Sequence, residues 1–172
     1  MFYGGSVDRD CVLLLDAWTD QIDDSLYGSL IGYVNCNRLQ IPSKTTSILQ
    51  PLDVYGFRQW KLFAKRITER INLHEIKVDI KHRLNIITMH SLIYDQLSSP
   101  KFNQMWRYSW YKSGYLDENP GITNVLENCF SYVEYNCEAE ECGEISFIRC
   151  SHCEMSICFY HFFIRYHNHI DI

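Results

Sequence analysis

The sequence predicts an α/β fold: a short parallel sheet with helices, then further helices, then a small C-terminal zinc-binding module. Three observations predict it. Two short apolar segments, residues 11–15 and 38–41, flank a helix-forming stretch at the spacing of a βαβ unit. A helix-periodic and basic segment follows from Val54. Five of the eight cysteines crowd between Cys137 and Cys158, interleaved with histidines.

The bulk composition sets bounds. A chain of 172 residues is long enough for one ordinary domain, or for a small core plus a module. Apolar residues make up 47% and charged residues 22%, the balance of a globular chain and not of a disordered one. The net charge of −5 excludes a uniformly basic nucleic-acid binder, although charge is segregated along the chain. Residues 1–10 lack the basic and apolar regions of a secretory signal, and no apolar run is long enough to span a membrane. The expected compartment is therefore reducing, where clustered cysteines serve as metal ligands in preference to disulfides.

Residues 1–10 read as loop. The run Cys11-Val12-Leu13-Leu14-Leu15, ending at Asp16, suits a strand buried on both faces. Asp23 and Asp24 offer an N-cap for a short helix over residues 25–31, and Gly32 ends it. A second strand over 38–41 stops at Pro42, and 42–51 is loop by composition. The helix over about 54–71 carries one apolar stripe of Phe57, Trp60, Ala64, Ile67 and Ile71. Arg58, Lys61, Lys65 and Arg66 lie beside it, and between Val54 and Arg83 eight basic residues face three acidic ones. A second long helix is expected over about 75–97, with Ile76, Ile80, Leu84, Ile87, Leu92 and Ile93 on a broad apolar face. An aromatic-rich helix over 101–113 follows, with Gly114 as its C-cap. The division expected is 1–73 as sheet-bearing core, 74–116 as helical extension, 117–136 as linker and 137–172 as the Cys/His module.

Asp16 stands at the carboxyl end of a parallel strand, where ligands of open α/β sheets bind. Asp53 opens a helix reached by the loop from the second strand. Two converging carboxylates there suit Mg²⁺ or Mn²⁺, and the basic face of the next helix suits phosphates. The bland alternative is a strand-ending acid, a helix-capping acid and a solvated basic stripe.

The stretch Thr45-Thr46-Ser47-Ile48-Leu49-Gln50-Pro51-Leu52-Asp53, preceded by Leu13-Leu14-Leu15-Asp16 with 36 residues between the two acids, resembles the DDE/D transposases of the mariner–pogo superfamily, in particular the pogo/Tigger-like branch. The likeness covers about residues 11–73 and weakens towards Gly114. It implies a partial RNase H-like fold, with the first three strands missing. Asp16 would be the second catalytic acid and Asp53 the third. Members of this family cut and join DNA by two-metal phosphoryl transfer. The first catalytic Asp of the family has no counterpart here, so the chain alone is expected to be inactive as an endonuclease. The resemblance also implies a nuclear location and DNA as partner, through Arg58, Lys61, Lys65 and Arg66.

The tail reads Cys137-x4-Cys142-x7-Cys150-x2-Cys153-x4-Cys158-x2-His161-x5-His167-x-His169. Thiolates and imidazoles in pairs suit Zn²⁺, and a segment this short needs metal to fold. One arrangement is a cross-brace: Cys137, Cys142, Cys158 and His161 on one ion, and Cys150, Cys153, His167 and His169 on a second. A single site of Cys150, Cys153, Cys158 and His161 is the rival, and the spacing leaves the choice open. His152, between two cysteines, is not expected to ligate. The stretch from Arg149 to Phe162, with Tyr166-His167, resembles the cysteine-rich C-terminal zinc modules of piggyBac-type transposases, which implies a structural role in recognising DNA or protein. Glu134, Glu138, Glu140, Glu141 and Glu144 would repel phosphate and favour a protein partner on that face. The competing function is thus a non-catalytic zinc-module protein that binds DNA or another protein.

Overall fold

The computed structural model describes residues 11–17, 36–131 and 133–169. The N-terminal loop over 1–10 and the helix expected over 25–31 lie outside the described residues. The architecture is mixed α/β, with one small parallel sheet, a group of helices and a hairpin-bearing C-terminal part.

Strand β1 (Cys11–Leu15) pairs in parallel with β2 (Cys36–Gln40), Cys11 opposite Cys36 and Leu15 opposite Gln40. The Ile41 N–H extends the ladder to the Leu15 carbonyl at 2.8 Å. Parallel pairing needs a crossover, and 20 residues separate the two strands, as the βαβ spacing predicts. Burial on both faces does not follow: Val12 is 53% and Leu39 54% exposed, and of this region Ile41 is the residue driven fully inside. Two strands cover few of each other's side chains, so an apolar run in such a pair keeps an open face.

The loop after β2 contains one helical turn, α1 (Thr46–Leu49), and Thr45 Oγ1 donates back to the Pro42 carbonyl at 2.7 Å. A π-helical turn, Leu52–Gly56, then feeds α2 (Phe57–Leu73). The inward face of α2 is rotated from the expected stripe. Gln59, Phe63, Ile67 and Ile71 are buried, whereas Phe57 is 42% exposed. Trp60 and Ala64 pack on the flank of the core.

Residues 75–82, expected to be helical, are not. Ile76, Val78 and Ile80 are half-buried and alternate with exposed Lys77, Asp79 and Lys81. That is the period-two burial of extended chain, written in the sequence as Ile-Lys-Val-Asp-Ile-Lys. Helix α3 (Arg83–Ser98) begins only there; Leu84 and Ile87 face solvent, while Leu92, Ile93 and Leu97 are buried. The Ser99 hydroxyl caps a 3-10 turn, Pro100–Phe102, that leads into α4 (Asn103–Lys112). Gly114 adopts φ +80°, the left-handed conformation a C-capping glycine supplies. Within residues 117–136 lies α5 (Val125–Phe130), capped by Asn124 and burying Val125 and Cys129.

From Asn136 the chain forms a bridge to Ile145 and then an antiparallel hairpin of β3 (Ile148–Arg149) and β4 (Ser156–Ile157), closed by a π-helical turn, Tyr160–Ile164. One apolar cluster runs from the helices into this part: Phe63, Ile67 and Leu92 share it with Phe147, Ile148, Ile157 and Phe162.

Gly56 is buried at the mouth of α2 with helical dihedrals. A Cβ there would meet Trp106 Cζ3 at 2.9 Å and Leu52 Cδ2 at 3.2 Å. Trp106 cannot retreat freely, because its indole N–H donates to the Leu97 carbonyl at 2.8 Å. The overpacking cost, about 1–3 kcal/mol, exceeds the roughly 1 kcal/mol gained in helix propensity. Gly56→Ala should therefore lower the thermal unfolding midpoint, and an unchanged midpoint would show that Trp106 is loosely held.

Candidate metal centre

The hairpin brings the eight predicted ligands into two groups, Cys137/Cys142/Cys158/His161 and Cys150/Cys153/His167/His169, each with its ligand atoms within 4.8 Å of one another. In the first, Cys142 Sγ lies 3.9 Å from Cys158 Sγ, and His161 Nδ1 lies 3.4 Å from Cys137 Sγ and 3.3 Å from Cys158 Sγ. In the second, Cys150 Sγ is 3.2 Å from His169 Nε2, Cys153 Sγ is 3.5 Å from His167 Nε2, and the two Nε2 atoms are 3.0 Å apart. A tetrahedral Zn²⁺ with ordinary bond lengths spaces two sulfurs by about 3.8 Å, sulfur and nitrogen by about 3.6 Å and two nitrogens by about 3.3 Å. The observed separations are close to those edges, so the donor sets fit zinc.

The grouping is interleaved. The first and third ligand pairs along the chain meet, and so do the second and fourth. Cys150 and Cys153 are thereby parted from Cys158 and His161, the four residues of the single-site arrangement. His152 joins neither group: its Nε2 contacts the Asp95 carbonyl at 2.8 Å and its ring stacks on His169 at 4.9 Å.

Local geometry explains the turns. At the Cys150–Cys153 knuckle, Cys150 N–H donates to the Met155 carbonyl at 2.8 Å, and Glu154 N–H donates to the Cys150 carbonyl at 3.0 Å. Glu154 adopts φ +63°, unusual without glycine. Its carboxylate is held by Lys101 Nζ at 2.5 Å and Arg149 Nη2 at 2.7 Å. Beside the first group, Glu141 has φ +55°, and Cys142 N–H closes a turn on the Ala139 carbonyl at 3.1 Å.

The carboxyl end of α3 clasps the knuckle. Gln96 is fully buried and its Oε1 accepts the Ser151 N–H at 2.8 Å. Ser151 Oγ donates to the Gln96 carbonyl at 2.7 Å, and Ser99 Oγ donates to the Ser151 carbonyl at 2.9 Å. Asp95 Oδ1 accepts the His169 N–H at 3.3 Å. Asp95, Gln96 and Ser99 carry no motif that marks them as part of this site. The signal available was a polar pair set inside the apolar run Leu92-Ile93-Tyr94-Asp95-Gln96-Leu97.

The thiols divide into two kinds. Burial pushes Cys137 up, but N–H groups of Ala139 and Cys158 aimed at its sulfur hold it below the usual thiol value. Burial likewise opposes ionisation of Cys150, and the backbone at Cys153 and His152, with the Gln96 amide, brings it down. Their neighbours go the other way. Burial and the adjacent Cys137 push Cys158 up to about 11, and burial with Cys150 raises Cys153. In each group one thiol is thus favoured as the thiolate and another disfavoured, an opposition that a bound cation would relieve. Burial lowers His167 below its ordinary 6.5, keeping a neutral imidazole lone pair available. A histidine lowered on folding supplies stability above its unfolded pKa, so this corner weakens as the pH falls below 6.5.

The predicted acids are placed as follows. Asp16 follows β1, half-buried, with Oδ1 accepting the Ala17 N–H at 2.6 Å. Asp53 sits exposed in the π-helical turn. No grouping of three His, Cys, Asp or Glu among the described residues includes either. Arg58, Lys61, Lys65 and Arg66 are all exposed on α2, with Lys65 and Arg66 3.7 and 3.5 Å from Glu69. His74, His82 and His90 form no common site; His90 Nδ1 accepts the Trp60 indole N–H at 2.8 Å.

Residues 110–170 match the protein family described as the Tc5 transposase C-terminal domain. The match spans both Cys/His groups and relates this part of the chain to transposases. It covers the stretch expected to be a piggyBac-type module and names Tc5 instead; residues 11–73, where the mariner–pogo branch is expected, lie outside it. No curated protein and no solved structure matches the chain.

Two outcomes are expected. Zinc titrated into metal-free protein at neutral pH should release protons, so the apparent binding enthalpy will differ between buffers of different ionisation enthalpy; equal enthalpies would mean the thiols are not ligating. Gln96→Leu leaves the Ser151 N–H buried and unpaired, at a cost of about 1–3 kcal/mol. It should lower the unfolding midpoint and speed zinc transfer to a chelator from the Cys150 group.

Proposed function

We propose that this chain is a transposase-derived DNA-binding protein whose C-terminal part is held together by two structural Zn²⁺ ions. The observation that carries the reading is the interleaved pair of four-ligand groups inside the stretch that matches a transposase domain. Cys137, Cys142, Cys158 and His161 would hold one ion, and Cys150, Cys153, His167 and His169 the other. Each ion has four protein ligands, the count of a closed structural site. Zinc here supplies the charge that lets paired thiolates coexist. DNA is held along its backbone by the exposed basic face of α2, with Arg58, Lys61, Lys65 and Arg66 as contacts. A nuclear location accompanies this role, and no helix among the described residues is long and apolar enough to cross a membrane.

Asp16 and Asp53 are read as the inherited acids of a DDE/D site related to the mariner–pogo branch, on part of an RNase H-like fold. Two-metal phosphoryl transfer requires ions held symmetrically about the phosphate. Neither acid belongs to a cluster of three potential ligands among the described residues, so Mg²⁺ or Mn²⁺ would be held weakly, and the expected outcome is no DNA cleavage by this chain alone.

A second reading has its own support. Glu138, Glu140, Glu141 and Glu144 stand exposed around the first Cys/His group, a surface suited to a basic protein partner.

Fluorescence anisotropy with a labelled duplex at several salt concentrations tests the first reading. Arg58→Glu with Lys65→Glu should weaken binding by about tenfold or more and flatten the salt dependence. Chelation of zinc should abolish binding together with the fold. Unaltered duplex binding by the double variant would remove α2 as the DNA contact, and no duplex binding by the zinc-loaded wild-type chain would move the function to the acidic surface. Mg²⁺-dependent cleavage that disappears in Asp53→Ala would overturn the inactive assignment.

A further inference from the structure

A cavity of about 510 Å³ opens between the carboxyl-terminal half of α2 and α5. Arg66 and Arg70, one helical turn apart, line one wall; Asn124, Leu126, Phe130 and Ser131 line the other. Neither the zinc sites nor the acid pair uses it.

Arg70 is the unusual member. Its guanidinium lies 5.8 Å from the centre of the Phe130 ring and 5.9 Å from that of Phe147. Its hydrogen bond from Nη1 to the Phe130 carbonyl is long, at 3.4 Å, and its Nε is buried with no partner. No carboxylate pairs with it among the described residues. Burial and repulsion from Arg66 both work against its charge. The lining holds one carboxylate, Glu127, against the two guanidinia, and Glu127 is not free. A half-buried guanidinium in that position gains most from an anion that takes several N–H bonds at once, which is the property of a phosphate.

The cavity exceeds the needs of a phosphate alone. Leu126 and Phe130 add an apolar side where a sugar or base can rest, and Asn124 and Ser131 add neutral polar groups. Arg66 also belongs to the basic face proposed for DNA, so the cavity continues that face along α2. Resting on that DNA-binding reading, we propose that this cavity seats one nucleotide unit of an unpaired nucleic-acid strand, its phosphate between Arg66 and Arg70 and its sugar or base against Phe130.

Arg70→Gln tests the guanidinium, and Ser131→Glu places a carboxylate on the exposed rim without touching the packed core. Both are compared with the zinc-loaded wild-type chain for binding of an oligothymidylate strand, a duplex of equal length, thymidine 5′-phosphate and inorganic phosphate. Expected is a loss of about tenfold or more in oligothymidylate affinity for both variants, with the unfolding midpoint of Ser131→Glu unchanged. Thymidine 5′-phosphate should compete better than inorganic phosphate. If both variants bind the strand as the wild type does while Arg58→Glu with Lys65→Glu loses the duplex, the cavity proposal falls and the DNA-binding reading stands. If neither DNA form binds, the DNA-binding reading and the cavity proposal fall together, even where thymidine 5′-phosphate still binds. Competition by inorganic phosphate equal to that by the nucleotide overturns the role given to Phe130.

Discussion

The clasp between Gln96 and Ser151 is the joint on which the C-terminal part depends. Gln96 is fully buried, and both its backbone carbonyl and its side-chain oxygen are taken by Ser151. Such bonds are directional, so they set where the knuckle sits and how it is turned, which apolar contact alone does not. The adjacent Asp95 extends the grip to His152 and to the backbone of His169. Through these contacts α3 positions ligands that lie more than fifty residues away in the chain. The helices and the Cys/His groups are therefore coupled, and the shared apolar cluster reinforces the coupling.

Electrostatics explains why the ligand groups differ from a merely cysteine-rich core. Cys129 shows the contrast: it belongs to neither group, and burial, with Cys150 nearby, pushes its thiol up to about 12, the behaviour of an inert buried cysteine. Cys137 and Cys150 are buried too, yet backbone N–H groups directed at their sulfurs bring them down. The same hairpin turns that supply those N–H groups place further donors at tetrahedral spacing. Fold and ligand chemistry are thus set by one piece of backbone.

The sheet and the tail stand on different footings. The β1–β2 pair is short, and Val12 and Leu39 face outwards. Asp16 directly follows β1 and Asp53 lies exposed in the π-helical turn before α2, and no Cys, His or acidic grouping among the described residues includes either. The tail, in contrast, brings all eight of its predicted ligands together. The basic face of α2 and the acidic rim of the first Cys/His group keep the two signs of charge on separate elements, which suits two different kinds of partner.

What the sequence by itself determined is the chemistry that operates over a few residues. The pairs Cys150-x2-Cys153 and Cys158-x2-His161 mark candidate metal ligands because such spacings bring two donors together within one turn. The parallel pairing of β1 and β2 is likewise written in the crossover length, and Gly114 in its C-capping position. The tertiary structure decided what depends on distant neighbours. Four ligand pairs permit more than one combination, and the hairpin selects the interleaved one. The buried face of α2 runs through Phe63 and not Phe57, because the core it meets is assembled from α3 and from Phe147 and Phe162, far along the chain. Residues 75–82 alternate instead of coiling, although that period was present in the letters. Gln96 and Arg70 read as ordinary polar residues on helices. Only packing reveals one as a buried clasp and the other as a half-buried cation that no carboxylate pairs with among the described residues, since burial and pairing are properties of the assembled fold.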